Sequence, residues 1–340
     1  MTAPLLVHPR DALHDAGRSL PVLSPCEHIA GNERMLRKAI GLQQTLNGAF
    51  DLTCDCEDGA AVGEERAHAQ AVAALLVESA ATPGRRGVRV HDISHAHWQS
   101  DVEIVMSEAG PHLAYLTLPK PSGAADVDRM LSVIERRAAQ EGVPVPRLHV
   151  LIETPAALAQ AAAIAALPGV ETLDFGIMDF VSAHHGALGF EAMRSPVQFT
   201  HPLLVRAKTE LVAAALAHGV VPAHNVSQAL RDPEAVERDA RMAREQFGFL
   251  RMWSIHPSQI EPILRAMSPT ETEVAQAGEI LLAAQARAWG PIDHGGALQD
   301  RASYRHCWTV LQRAQAAGRA LSDAVRTAFF AQSSQGSRHD

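Results

Sequence analysis

The sequence predicts an α/β fold, a (βα)8 TIM barrel with a C-terminal helical extension and lid. Three observations carry this expectation. Short apolar segments recur eight times before residue 256, helical stretches separate them, and no G-x-G-x-x-G follows the first. The segments are 19–23, 50–56, 87–91, 114–118, 148–153, 172–178, 220–225 and 249–255. Most starts lie roughly thirty residues apart, the span of one strand, a crossover helix and two loops. The gap between the sixth and seventh is longer and holds an insertion, 184–201.

The intervening helices follow from period and punctuation. Ala69, Val72, Ala73 and Leu76 form an apolar stripe after the second segment. Ser122 is expected to cap a helix whose Val127, Met130, Leu131 and Ile134 share one face, with Gly142 ending it. Thr154-Pro155 and Asp232-Pro233 each place a capping side chain before a proline, whose missing N–H costs nothing at the first helical position. Val236, Ala240, Ala243 and Phe247 supply the second stripe before Gly248. Beyond the barrel, helices are expected at 269–288, 301–315 and 321–332, around a loop at 289–300 that serves as a lid or an oligomer arm, with a frayed tail at 333–340. The chain thus divides into a barrel domain, 1–265, and a helical extension, 266–340.

Composition removes several function classes. The chain has 340 residues, 47% hydrophobic and 20% charged, with a net charge of -8 and no basic block, which argues against nucleic-acid binding. No apolar run reaches the ~18 residues of a membrane span, and Met1-Thr2-Ala3-Pro4 does not open a signal peptide. A soluble, cytoplasmic protein is expected. Cys26, Cys54, Cys56 and Cys307 lack zinc-site spacing and read as packing residues.

In such a barrel the chemistry sits where strands end. Those ends read Asp55-Cys56-Glu57-Asp58-Gly59, Arg89-Val90-His91-Asp92, Leu118-Pro119-Lys120, Ile152-Glu153-Thr154, Met178-Asp179, His224-Asn225 and Ile255-His256-Pro257-Ser258-Gln259. Together they describe a polar, charged cavity. Glu153 and Asp179, on neighbouring strands, suit an octahedral Mg²⁺ with sites open for substrate oxygens. Arg89 is the natural cation to oppose a developing enolate or carboxylate oxygen, or to pair with Glu57 or Asp58. His91, His95 and His97 share no single strand or helix face, and His184-His185 borders the expected mouth.

The chain resembles the citrate lyase beta-subunit-like proteins of the HpcH/HpaI aldolase superfamily, which include malyl-CoA and citramalyl-CoA lyases. The resemblance rests on Ala30-Gly31-Asn32-Glu33-Arg34, Cys56-Glu57-Asp58-Gly59-Ala60, Arg89-Val90, Leu118-Pro119-Lys120, Leu151-Ile152-Glu153-Thr154 and Phe175-Gly176-Ile177-Met178-Asp179. Above all it rests on Ile255-His256-Pro257-Ser258-Gln259-Ile260. It implies Mg²⁺, or Mn²⁺, on Glu153 and Asp179, substrate binding by Arg89, and Glu57 and Asp58 holding metal waters or the arginine. It places Arg34, Lys38 and Lys120 toward a CoA thioester. In Gly296-Ala297-Leu298-Gln299-Asp300 the final aspartate matches a lid acid/base that reaches a neighbouring subunit, with Asp293 as alternative. A homo-oligomer, trimer or hexamer, follows from such a lid. The partners implied are an acyl-CoA and a 2-oxo acid, and the expected reaction is carbon–carbon cleavage of a malyl-CoA or citramalyl-CoA type thioester. The alternatives are a class II aldolase on free 4-hydroxy-2-oxo acids, a beta-type subunit requiring an acyl carrier partner, and a thioesterase variant. Departures from the family wording occur at Cys26-Glu27-His28, read as an insertion, and around Met178–His185.

Overall fold

The computed structural model describes residues 7–13, 20–59 and 61–331. Eight parallel strands close into a barrel in the order of the chain: β1 Cys26–Ala30, β2 Asp51–Asp55, β3 Arg86–Arg89, β4 Tyr115–Leu118, β5 Arg147–Ile152, β6 Val170–Phe175, β7 Val221–His224 and β8 Arg251–Ser254. β1 pairs with β8 through Glu27 and Trp253, which completes the ring. The outward side chains of each strand, such as Leu52, Cys54, Val88, Leu116, Val150 and Leu173, are fully buried beneath the helices. That two-sided burial explains why the strands read as continuous apolar runs.

The first strand lies later than expected. Residues 20–23 form no strand, and Cys26-Glu27-His28 is β1 itself, not an insertion. Its buried Glu27 and His28 disguise it, because their polar atoms are satisfied by side chains of other strands. The expected cap at Ser122 also differs. The helix Ala124–Glu141 starts after Gly123, and Asp126 reaches back to accept from the Ser122 N–H at 2.8 Å. The Thr154 and Asp232 caps form as expected, accepting from Ala157 and Ala235 N–H at 3.0 and 2.9 Å. Gly142 and Gly248 end their helices in the left-handed conformation, with φ of 66° and 80°.

Two compact units divide the described chain. The barrel unit is Ser24–Met267, and the other groups residues before Leu23 with those after Ser268. In the second unit, helices Glu271–Ala286 and Arg301–Ala316 flank a two-stranded antiparallel hairpin, β9 Ile292–His294 and β10 Ala297–Gln299, where a loop was expected. Tyr304 anchors this hairpin, its hydroxyl donating to the Gly290 and Gln299 carbonyls at 2.8 and 3.0 Å. The expected helix at 321–332 forms over 323–330, Asp323–Val325 continuing into a π-helical turn Arg326–Phe330, and residues 332–340, with the expected tail, lie outside the described residues. All four cysteines are free and buried, as packing residues are.

Candidate active site

The carboxyl ends of β2 to β6 bring six of the expected residues into one mouth. Arg89 closes β3 and lies 11% exposed between three carboxylates. Its Nε and Nη2 donate to the two oxygens of Asp55 at 2.8 and 2.7 Å, a fork-on-fork pair. Nη1 meets Glu57 Oε2 at 2.6 Å, and Nη2 meets Asp58 Oδ2 at 2.8 Å. Burial opposes the guanidinium charge, but Asp55, Glu57 and Asp58 outweigh it and hold Arg89 firmly protonated. Asp58 is the loosest of the three, with its side chain 71% exposed.

Asp55 has a second task. Its Oδ1 accepts from the backbone N–H of Glu57 at 3.1 Å and of Asp58 at 3.4 Å, folding the loop that carries both. Gly59 ends that turn because a side chain there would meet the Asp55 carbonyl at 2.0 Å and Gly31 at 2.8 Å. The expectation for Arg89 named Glu57 and Asp58 but passed over Asp55. The signal was available, since Asp51, Thr53 and Asp55 alternate along β2 and therefore share its inner face.

Lys120 joins the two halves of the mouth. It follows β4 with a left-handed φ of 48°. This turn aims its backbone N–H at Glu153 Oε1, 2.7 Å away, while Nζ donates to Glu57 Oε1 at 2.7 Å and lies 3.8 Å from Asp179 Oδ1. Burial works against the ammonium, but Glu57, Asp179 and Glu153 keep its proton more tightly held than usual. Its contacts are therefore with the acidic cluster.

Glu153 directly follows β5 and is 2% exposed. Desolvation, then the Asp179 and Glu57 charges, push its carboxyl up to about 8. Gly176 makes room for it, since a Cβ there would fall 2.4 Å from the Glu153 Cβ and Oε2. Asp179 projects from the first turn of the helix Ile177–Ser182, directly after β6, and is half-buried. Burial likewise raises Glu57, against the pull of Arg89 and Lys120. Five carboxylates thus face one guanidinium and one ammonium. The deficit of positive charge, centred on a buried carboxylate, fits a divalent cation on Glu153 and Asp179.

The remaining expected residues lie elsewhere. Arg34 and Lys38 are exposed on the helix Glu33–Thr45, one turn apart. Arg37 between them is paired with Glu33 and Glu78. Asp300 belongs to the other unit and caps the helix Arg301–Ala316, accepting from the N–H of Ala302 and Ser303 at 2.8 and 3.4 Å. Asp293 Oδ1 accepts from Gly296 N–H at 2.9 Å in the hairpin turn. His91 and His95 stack with ring centroids 4.1 Å apart, and Asp101 occupies His91 Nδ1 at 2.6 Å. His184 folds back on the Phe180 carbonyl at 2.7 Å.

Known proteins resemble this chain in sequence and fold. The model of the HpcH/HpaI aldolase/citrate lyase family matches residues 37–257, more than half of the chain. An L-malyl-CoA/beta-methylmalyl-CoA lyase from Cereibacter sphaeroides is 28% identical over 297 residues, covering 82% of this chain and 92% of its own. The crystal structure of a citrate lyase from Burkholderia xenovorans LB400 is 48% identical, covers 96% of this chain and 100% of that one, and superposes with a TM-score of 0.84. The protein CitE from Mycobacterium tuberculosis, solved with magnesium, acetoacetate and coenzyme A, is 23% identical over 86% of this chain and 98% of its own. Its TM-score of 0.65 shows the same fold. The chain belongs to the HpcH/HpaI aldolase/citrate lyase family.

Proposed function

We propose that this protein is a Mg²⁺-dependent carbon–carbon lyase, with Mn²⁺ as a substitute, acting on a malyl-CoA or citramalyl-CoA type 3-hydroxyacyl thioester. The products are a 2-oxo acid and an acyl-CoA, and the reverse condensation uses the same groups. The observation that carries this reading is the mouth itself: Glu153 and Asp179 with a positive-charge deficit, beside an arginine already set in place by Asp55. The magnesium complex of CitE and the activity named for the malyl-CoA relative support it.

When bound to Glu153 and Asp179, the cation supplies Lewis-acid polarisation of the 2-hydroxy carboxylate oxygens. The chain's own groups do the rest. Asp55 keeps the Arg89 fork oriented, and the exposed Asp58 is the partner that an incoming carboxylate displaces from Nη2. Arg89 then faces the oxygen that becomes the carbonyl of the 2-oxo acid. As the carbon–carbon bond breaks, its electron pair passes to the carbon beside the thioester, and the hydroxyl gives its proton to solvent water. A carboxylic acid must protonate the new enolate carbon, and we assign this to Asp300 of a neighbouring copy's lid, in a trimer or hexamer. Arg34 and Lys38, exposed after β1, supply cationic charge for the CoA phosphates.

The test is 2-oxo acid release, trapped as a hydrazone, from malyl-CoA, citramalyl-CoA and free 4-hydroxy-2-oxo acids. Product from a CoA ester supports the lyase and identifies the acyl group. Product from the free acids alone assigns the protein to the aldolase reaction instead. Silence on all of them favours a subunit that acts only on an acyl carrier protein.

A further inference from the structure

A second charged group lies inside the barrel, below the mouth, and the proposed reaction makes no use of it. Glu27 on β1, His149 on β5 and Asp174 on β6 are fully buried. One donor atom from each lies within 4.8 Å of the others. His149 Nδ1 faces Glu27 Oε2 at 3.1 Å, and its Nε2 faces Glu171 Oε2 at 3.1 Å. Glu171 reaches that position because the β5–β6 register slips between Leu148 and His149, leaving it as the extra residue of a bulge. Thr53 fixes the other Glu27 oxygen by donating to Oε1 at 2.6 Å. Asp174 is wholly buried, and apart from the nearby Thr172 hydroxyl neither of its oxygens has a hydrogen-bond partner among the described residues. A buried carboxylate with so little compensation is costly and calls for a cation.

We infer that Glu27, His149 and Asp174 form a second metal site, for a transition ion such as Zn²⁺, Co²⁺, Mn²⁺ or Fe²⁺, with Glu171 as the outer partner of the imidazole. A carboxylate on the far nitrogen of a histidine is the usual arrangement that orients a metal-bound imidazole. One imidazole with two carboxylates selects these ions over Mg²⁺, which prefers oxygen alone. The charge count agrees. Glu27, Asp51, Glu171 and Asp174 oppose the two guanidinium groups of Arg85 and Arg251, so two positive charges are missing. Without an ion they must come from protons on His149 and Asp174, and one divalent ion replaces both. Arg251 lies 3.1 Å from Glu27 Oε2 and holds Asp51 through Nη2 at 2.7 Å; its charge also acts on Asp174, but no hydrogen bond joins the two.

The ion's role is structural. On β5 the inward residues run His149, Leu151, Glu153, and on β8 Arg251 gives way to Trp253. Leu151, Ala223 and Trp253 form an apolar cluster, so the metal would tie β1, β5 and β6 together beneath an apolar layer, away from substrate. The Arg85 side chain, 32% exposed, and Glu171 mark the way in from the opposite end of the barrel.

The experiment removes the mouth ligands first, using full-length Glu153→Gln/Asp179→Asn protein, stripped with chelator and reloaded with Co²⁺. We expect about one Co²⁺ per chain after gel filtration, with visible ligand-field absorption and an X-ray absorption edge showing one imidazole in an oxygen-rich shell. Adding Asp174→Asn, which is isosteric and removes the buried charge, should weaken binding by about tenfold or more while the protein stays folded. No retained Co²⁺ in the double variant overturns the site and leaves protons and arginines as the only counter-charges. Co²⁺ retained equally with Asp174→Asn places the ion elsewhere and overturns it too. The absorption edge decides the matter should the triple variant fail to fold.

Discussion

Glu153 concentrates the conflict between burial and charge. In chelator its folded-state carboxyl, at about 8, lies above the ordinary 4.5 because of desolvation, Asp179 and Glu57. A raised carboxyl binds its proton more tightly when folded than when unfolded. Its contribution is therefore full below pH 4.5 and is lost as pH climbs to about 8. Glu153→Gln has no proton to lose. Its metal-free stability relative to wild type should rise across that window by a few kcal/mol and level off above it. Thermal melts at several pH values in EDTA check this, and a pH-independent difference would show that Glu153 is not desolvated as described. This residue was legible in the sequence because a carboxylate closed a buried strand ahead of an independent cap, Thr154. Asp55 was harder to read, since its value lies in a contact across to β3 that no local pattern contains.

Elements were legible where helix chemistry is local and illegible where pairing is not. Thr154, Asp232, Gly142 and Gly248 act on their own neighbours, and the structure uses each as expected. β1 was misplaced because Glu27 and His28 look like loop residues until Thr53, His149 and Ser254 arrive from other strands. The hairpin β9–β10 was hidden by its glycines, Gly295 and Gly296, which make the turn at φ of 62° and 79°. Asp300, just after the hairpin, serves a helix as its N-cap, so two variants separate that task from catalysis. Asparagine caps about as well as aspartate, whereas alanine loses about 1 kcal/mol. Asp300→Asn should keep wild-type stability and lose about 10²–10⁴ in kcat, the usual worth of a general acid or base. Asp300→Ala should lose both. Wild-type kcat in Asp300→Asn would remove this residue from the reaction and point to Asp293.

At the scale of the molecule, one barrel carries two charged clusters, parted on one side by Leu151, Ala223 and Trp253. The upper one was legible because strand ends are known positions in the sequence once eight repeats are counted. The lower one, Glu27 to Arg251, was not, because its members lie within strands or at their starts and become neighbours only when β1 meets β8. Family membership and fold make the mouth the place for chemistry, and no helix among the described residues is long and apolar enough to cross a membrane. In the proposed reaction a divalent cation on Glu153 and Asp179 drives cleavage. The most direct measurement follows 2-oxo acid release from malyl-CoA and citramalyl-CoA by wild type and Glu153→Gln, in EDTA and after Mg²⁺ is restored. Wild type should release 2-oxo acid in a way that EDTA abolishes and Mg²⁺ recovers, with Glu153→Gln inactive in both conditions. Release that persists in EDTA, or in Glu153→Gln, would contradict it.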